Sequence, residues 1–211
     1  MSEIRHIVFD IGNVLLRWEP EIPYRRLIPD EAARRRFLTE ICTGDWNKEQ
    51  DRGRSWPDAE AALIARFPGH APLIRAFRAN WHEMIPGSLD ETPEILDALV
   101  AAGQDVTALT NFASDTFVEA VERFPYLRLF RGITVSGDIG LVKPDPEIYR
   151  LHAETFGLTP AATLFFDDTA ANVDAARDAG WRAERFVDAA TMRADLARHG
   201  IGGFAASTDR S

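Results

Sequence analysis

Cysteine is nearly absent. Cys42 stands alone among 211 residues, so the chain can build neither an internal disulfide nor a thiolate zinc site. Histidines 6, 70, 82, 152 and 199 are scattered, with no paired metal-ligand spacing. No stretch approaches the roughly 20 apolar residues of a membrane span, and no basic-plus-apolar signal segment precedes the first apolar run. Positive charge is also short: 24 Lys and Arg against 33 Asp and Glu leave a net charge of −9. No basic cluster offsets it, since Arg34-Arg35-Arg36 lies between Glu31 and Glu40 and reads as a solvated helix face. These absences exclude a general nucleic-acid binder and predict a soluble cytoplasmic protein with no membrane partner.

What is present is ordinary for an enzyme. A 45% hydrophobic share supports one good core, and 27% charged residues with 12 prolines suit a folded chain. Residues 6–11 read as a buried strand, and from residue 91 onward strands and helices alternate. Helices are predicted over 91–102, 114–123, 145–156, 169–179 and 190–198, with strands over 104–109, 132–135, 162–166 and 182–186. That alternation predicts an α/β fold, a Rossmann-like doubly wound parallel sheet. Residues 18–84 differ, with helical patterns opening at Pro29-Asp30-Glu31 and at Ser55-Trp56-Pro57-Asp58, where Ser55 or Asp58 can cap. The expected division is a core of 1–17 and 85–211 around an inserted helical unit of 18–84, with a loose tail over 200–211.

Four segments end in chemistry-bearing residues. Ile7-Val8-Phe9 runs into Asp10, Val106 to Leu109 into Thr110-Asn111, the segment from Ser136 into Lys143-Pro144, and Thr163 to Phe166 into Asp167-Asp168. The carboxyl ends of parallel strands share one edge, where open α/β sheets bind ligands, so these groups can converge. A carboxylate, a hydroxyl, a lysine and a carboxylate pair suit magnesium-assisted phosphoryl transfer. Asp10 is the candidate nucleophile, able to form an aspartyl phosphate. Magnesium prefers oxygen donors, and Asp10, Asp168 and, directly or through water, Asp167 are its candidate ligands. Lys143 would offset charge in the transition state. Thr110 and Asn111 would hydrogen-bond the transferring oxygens, while Gly12 and Asn13 let backbone amides face the phosphate.

These four motifs, in this order and with the insertion after the first, resemble the haloacid-dehalogenase-like hydrolase superfamily. The resemblance implies a Rossmann-like core and a helical cap of the first type that closes over the site and sets specificity. It implies roles for Asp10 as nucleophile, Thr110 in the second motif, Lys143 in the third and Asp167-Asp168 in the fourth. It also makes Asp51-Arg52-Gly53-Arg54-Ser55 the cap loop facing the substrate, with Arg52 and Trp46 as candidate specificity residues beside a plain helix-turn reading. One departure stands out. Most phosphatases of the superfamily have an acid/base aspartate two residues after the nucleophile, and Gly12 is there instead. Its carbonyl can still bind the metal but cannot move a proton, a role typically worth about 10²–10⁴ in rate.

The variant Phe9-Asp10-Ile11-Gly12-Asn13-Val14 resembles the branch that includes glucose-1-phosphate phosphatases. The implied substrates are small phosphorylated metabolites with good leaving groups, such as sugar 1-phosphates. Glu21 is a candidate substitute acid. The alternative is a metal-independent 2-haloacid dehalogenase using Asp10, against which the Asp167-Asp168 pair counts. A binding protein that has lost catalysis is a third reading. The expected state is a monomer or homodimer.

Overall fold

The computed structural model describes residues 3–202, so most of the expected tail lies outside the described residues. Five parallel strands form one sheet: β1 (His6–Phe9), β2 (Asp105–Thr110), β3 (Ile133–Val135), β4 (Thr163–Asp167) and β5 (Arg182–Arg185), in the order β3-β2-β1-β4-β5. The inner strands β2, β1 and β4 are almost wholly buried because both of their faces are covered. Strand order reverses beside β1, where the chain leaves toward β2 and later returns to β4. Ligands of open α/β sheets bind outside the carboxyl ends at such a switch point.

Eleven α-helices complete the fold among the described residues. Between β1 and β2 run α1 (Glu21–Leu27), α2 (Glu31–Arg36), α3 (Gly44–Asp51), α4 (Trp56–Arg66), α5 (Ala71–Ala79) and α6 (Thr92–Ala101). After β2 come α7 (Ser114–Arg123), α8 (Ser136–Ile139), α9 (Pro146–Phe156), α10 (Ala170–Asp178) and α11 (Ala189–Arg198). Side-chain caps set several starts: Asp30, Thr43 and Ser55 each accept from a backbone N–H of the first turn. The five helices expected in the α/β half match within a residue or so, as α6, α7, α9, α10 and α11, while the one-turn α8 was not expected. β1 is shorter than expected because the chain turns at Ile11, whose carbonyl accepts from Leu15 and Leu16, both at 2.9 Å. α1 and α3 carry no clear apolar period and were not expected.

Two apolar clusters cover the two faces of the sheet. One, with Val8, Leu109, Phe165, Tyr149 and Trp181, lies under α9 and α10. The other joins Phe9, Phe166 and Ile95 to Tyr24, Phe37, Trp56, Phe77 and Trp81 of the helical insertion. The insertion therefore shares a continuous core with the sheet. A polar link sits inside the sheet layer, where His152 of α9 bridges Thr107 of β2 (3.0 Å) and Thr134 of β3 (2.7 Å). Burial pushes its imidazole down to about 3, so it is neutral. No helix among the described residues is long and apolar enough to cross a membrane.

Candidate active site

Register places the chemistry. Phe9 pairs with Ala108 on one side and Phe166 on the other, so Asp10 stands level with Leu109 and Asp167. Thr110 and Asp168 lie one residue further along the same edge. The Asp10 amide still donates to Phe166 (2.9 Å), and the chain then turns through Asn13 in the left-handed region, at φ 52°, a conformation that Asn tolerates better than most residues. Asn13 uses its side chain to hold this turn: Oδ1 accepts from the Trp18 amide (3.0 Å) and Nδ2 donates to Asp168 (3.3 Å).

Lys143 is the centre of the cluster. It is 1% exposed, and its Nζ lies 2.8 Å from Asp10 and 2.7 Å from Asp167. Burial alone would favour the neutral amine, but the two carboxylates outweigh it and hold Lys143 above the ordinary lysine range. Burial moves Asp10 the other way from an ordinary carboxylate, upward, and the neighbouring Asp167 and Asp168 add to it against Lys143. Asn111 clamps Lys143 in place, accepting from its backbone N–H (2.8 Å) and donating to its carbonyl (3.1 Å). Its amide is thus occupied with positioning the lysine, as that of Asn13 is with Asp168.

The two acidic residues at the end of β4 differ. Asp167 is fully buried and accepts from Lys143, from the Thr169 amide (2.8 Å) and from Asn172 (3.0 and 3.1 Å). Asp168 is half-buried, and among the described residues its carboxylate accepts from the Asn13 side-chain amide and the Thr169 hydroxyl (3.2 Å), while its carbonyl accepts from Arg185 (3.1 Å). Oxygens of Asp10, Asp167 and Asp168 all lie within 4.8 Å of one another. Three carboxylates against one ammonium leave an excess of negative charge over hard oxygen donors, a set that fits magnesium. The saturated hydrogen bonding of Asp167 suits orientation of Lys143, leaving Asp10 and Asp168 as the more available ligands. Thr110 Oγ1 is buried without a hydrogen-bond partner, an orphan at the end of β2.

A cavity of about 200 Å³ opens over this edge. Asp10, Gly12, Asn13, Asn111, Lys143 and Asp168 form its sheet side; Trp18, Asn47, Asp51 and Trp81 come from the helical insertion. A second groove of about 510 Å³ shares Asn47, Asp51 and Lys143 and extends toward Leu38, Cys42 and Phe77.

Four sequence candidates are not among the residues lining either space: Thr110 and Asp167, which are buried at the ends of β2 and β4, and Trp46 and Arg52 of the insertion. Trp46 packs edge-on against Phe77 with ring centroids 5.2 Å apart, and its indole N–H donates to Ala59 (3.4 Å). Arg52 follows the last residue of α3, is exposed, and reaches only Glu49 at 3.7 Å. The flagged segment does reach the cavity, but through Asp51, with Asn47 one turn earlier on the same helix face. That i, i+4 polar pair was the available signal. Glu21, the candidate acid, is bound to Arg34 (2.7 Å) and does not line the cavity either.

A parallel sheet with a lysine between two strand-end aspartates at its switch point is the architecture of a Rossmann-like hydrolase. The profile of the haloacid dehalogenase-like hydrolases matches residues 4–180, and the chain belongs to that family. It is 28% identical over 176 residues to a sesquiterpene phosphatase of Aspergillus oryzae, covering 82% of this chain and 85% of the relative. It is 24% identical to the phosphoglycolate phosphatase of Salmonella typhi, covering 85% and 80%. Among solved structures, a family enzyme of Bacteroides thetaiotaomicron in complex with magnesium and inorganic phosphate is 19% identical with a TM-score of 0.68, covering 88% of this chain and 96% of that one. The L-2-haloacid dehalogenase of Xanthobacter autotrophicus, with chloropropionic acid covalently bound, is also 19% identical, with a TM-score of 0.65 over 95% and 85%.

Proposed function

We propose that the chain is a magnesium-dependent phosphatase of small phosphate monoesters, with Asp10 as the nucleophile. The observation that carries this reading is the buried Asp10–Lys143–Asp167 arrangement beside the more open Asp168. Asp10 attacks phosphorus, the ester bond breaks, and water then hydrolyses the aspartyl phosphate. Asp10, Asp168, the Gly12 carbonyl and, less directly, Asp167 would hold magnesium, which when bound supplies the positive charge that lets an anionic phosphate approach. Lys143 holds Asp10 in place and offsets charge as the phosphoryl group transfers. The Thr110 hydroxyl, lacking a partner, is the donor kept for a phosphoryl oxygen.

Residues 18–84 act in this reading as the cap over the site, contributing the wall of Trp18, Asn47, Asp51 and Trp81. The cavity of about 200 Å³ suits a phosphoryl group and a small ester such as a sugar 1-phosphate, and the adjoining groove of about 510 Å³ gives the leaving group room. Relatives named as phosphatases support the reaction class. Phosphate release from p-nitrophenyl phosphate and a panel of sugar phosphates, with magnesium or with EDTA, tests it. Magnesium-dependent release strongest for 1-phosphates is expected. Halide release from chloroacetate that survives EDTA would instead establish a dehalogenase, the activity of a structural neighbour.

A further inference from the structure

The phosphatase reading leaves one role unfilled. Gly12 has no side chain to protonate a leaving oxygen, and Glu21 is held by Arg34 away from the cavity. We propose that Asp51, at the end of α3, is the catalytic acid and base of this enzyme, supplied by the helical insertion in place of the missing aspartate. The inference rests on the phosphatase reading above.

Direction comes first. Attack by Asp10 in line with departure expels the leaving oxygen away from the sheet edge. The wall on that side is built by Trp18, Asn47, Asp51 and Trp81, and among the cavity-lining residues Asp51 is the only carboxylic acid outside the Asp10–Asp167–Asp168 cluster.

Position comes second. The Ser136 hydroxyl donates to the Asp51 carbonyl (2.6 Å) and in turn accepts from the Phe112 amide (2.9 Å), which pins the end of α3 to the loop after β2. The Asp51 carboxylate accepts from Asn47 Nδ2 at 3.4 Å, one turn earlier on α3. Burial lifts this carboxyl to about 7, against the Ala113 amide and Lys48, which pull it down. A group so placed can give a proton and take one near neutrality.

The steps balance. Asp10 forms the O–P bond, the ester O–P bond breaks, and the Asp51 proton goes to the departing oxygen. Water then attacks the aspartyl phosphate, its proton returns to Asp51, and inorganic phosphate leaves with Asp10 restored.

Asp51→Asn tests this, because the amide keeps the side chain's size and an acceptor oxygen while the transferable proton is gone. Single-turnover and steady-state rates are read with two similarly shaped esters, p-nitrophenyl phosphate and phenyl phosphate. Nitrophenolate departs without a proton; phenolate needs one more. The variant should keep its nitrophenolate burst within about threefold of wild type, lose about 10²-fold or more on phenyl phosphate, and accumulate phosphoenzyme. Equal losses on both first turnovers would make Asp51 a mere latch between α3 and the β2 loop, and unchanged steady-state rates would deny it any role; either overturns the proposal. A wild type without magnesium-dependent turnover would overturn the phosphatase reading, and the Asp51 role with it.

Discussion

Lys143→Met removes the charge at the centre of the site while keeping much of the side-chain volume. In the native protein one ammonium serves two buried carboxylates at 2.7 and 2.8 Å, with only 1% of the lysine exposed. Breaking a buried pair by removing one partner costs about 3–5 kcal/mol, since the remaining charge is neither solvated nor paired. For a chain of this size each kcal/mol lowers Tm by about 2–4 °C, so a fall of about 10 °C is expected in EDTA.

The loss should also depend on pH. Without Lys143, which pulls the Asp10 carboxyl down, burial raises its folded pKa still further above the unfolded value. A carboxyl shifted that way stabilises the fold at low pH and loses that contribution as pH rises through its folded pKa. The deficit relative to wild type should therefore be larger near pH 8 than near pH 5. Added magnesium, binding the folded state alone, should recover part of it. Differential scanning fluorimetry across pH, with and without magnesium, reads all three effects. A Tm change below about 3 °C that ignores both pH and magnesium would refute the placement of Lys143 as the shared counter-ion.

Three further predictions follow from particular residues. His152 is held neutral in the fold at about 3 against an ordinary 6.5, so the unfolded chain gains protons first, and its contribution is full above about pH 6.5 and is lost as pH falls toward 3. Denaturant titrations should show roughly 2 kcal/mol of acid sensitivity between about pH 6.5 and about pH 5 that His152→Gln lacks. Arg52→Ala should leave KM within about twofold of wild type, while Asn47→Ala, which alters the cavity wall, should raise it by roughly tenfold; the reverse order would restore Arg52 as a substrate contact. Asn111→Ala, which frees the Lys143 backbone from its two-way clamp, should lower kcat by about 10-fold or more and Tm by roughly 5 °C, as two buried backbone groups lose their partner, measurable on p-nitrophenyl phosphate and by scanning fluorimetry.

The fold was legible because its signals are local and periodic. Apolar runs ending in Asp10, Thr110 and Asp167 mark buried parallel strands, and glycines and prolines bound the helices between them. The convergence of the four motifs then follows from the shared edge of parallel strands, while the strand order itself came only with the structure. The helical insertion was less legible. α3 carries Thr43 as a cap but has a weak apolar period, so neither its bounds nor its inward face could be fixed from residue types. That is why Arg52 and Trp46 drew attention ahead of Asn47 and Asp51: a cation and an indole look like ligand contacts, whereas here one ends a helix in solvent and the other packs on Phe77. The positioning roles of Asn13 and Asn111 were hidden for another reason, because each spends its amide on a partner far away in sequence, Asp168 and Lys143 respectively.

The central claim is covalent chemistry at one carboxylate, and trapping the intermediate tests it most directly. Rapid quench of the magnesium-loaded protein with p-nitrophenyl phosphate, followed by peptide mapping, should find an acyl phosphate on Asp10 that Asp10→Asn neither forms nor turns over. Phosphate release undiminished in Asp10→Asn, or a phosphoryl group on any other residue, would contradict the account.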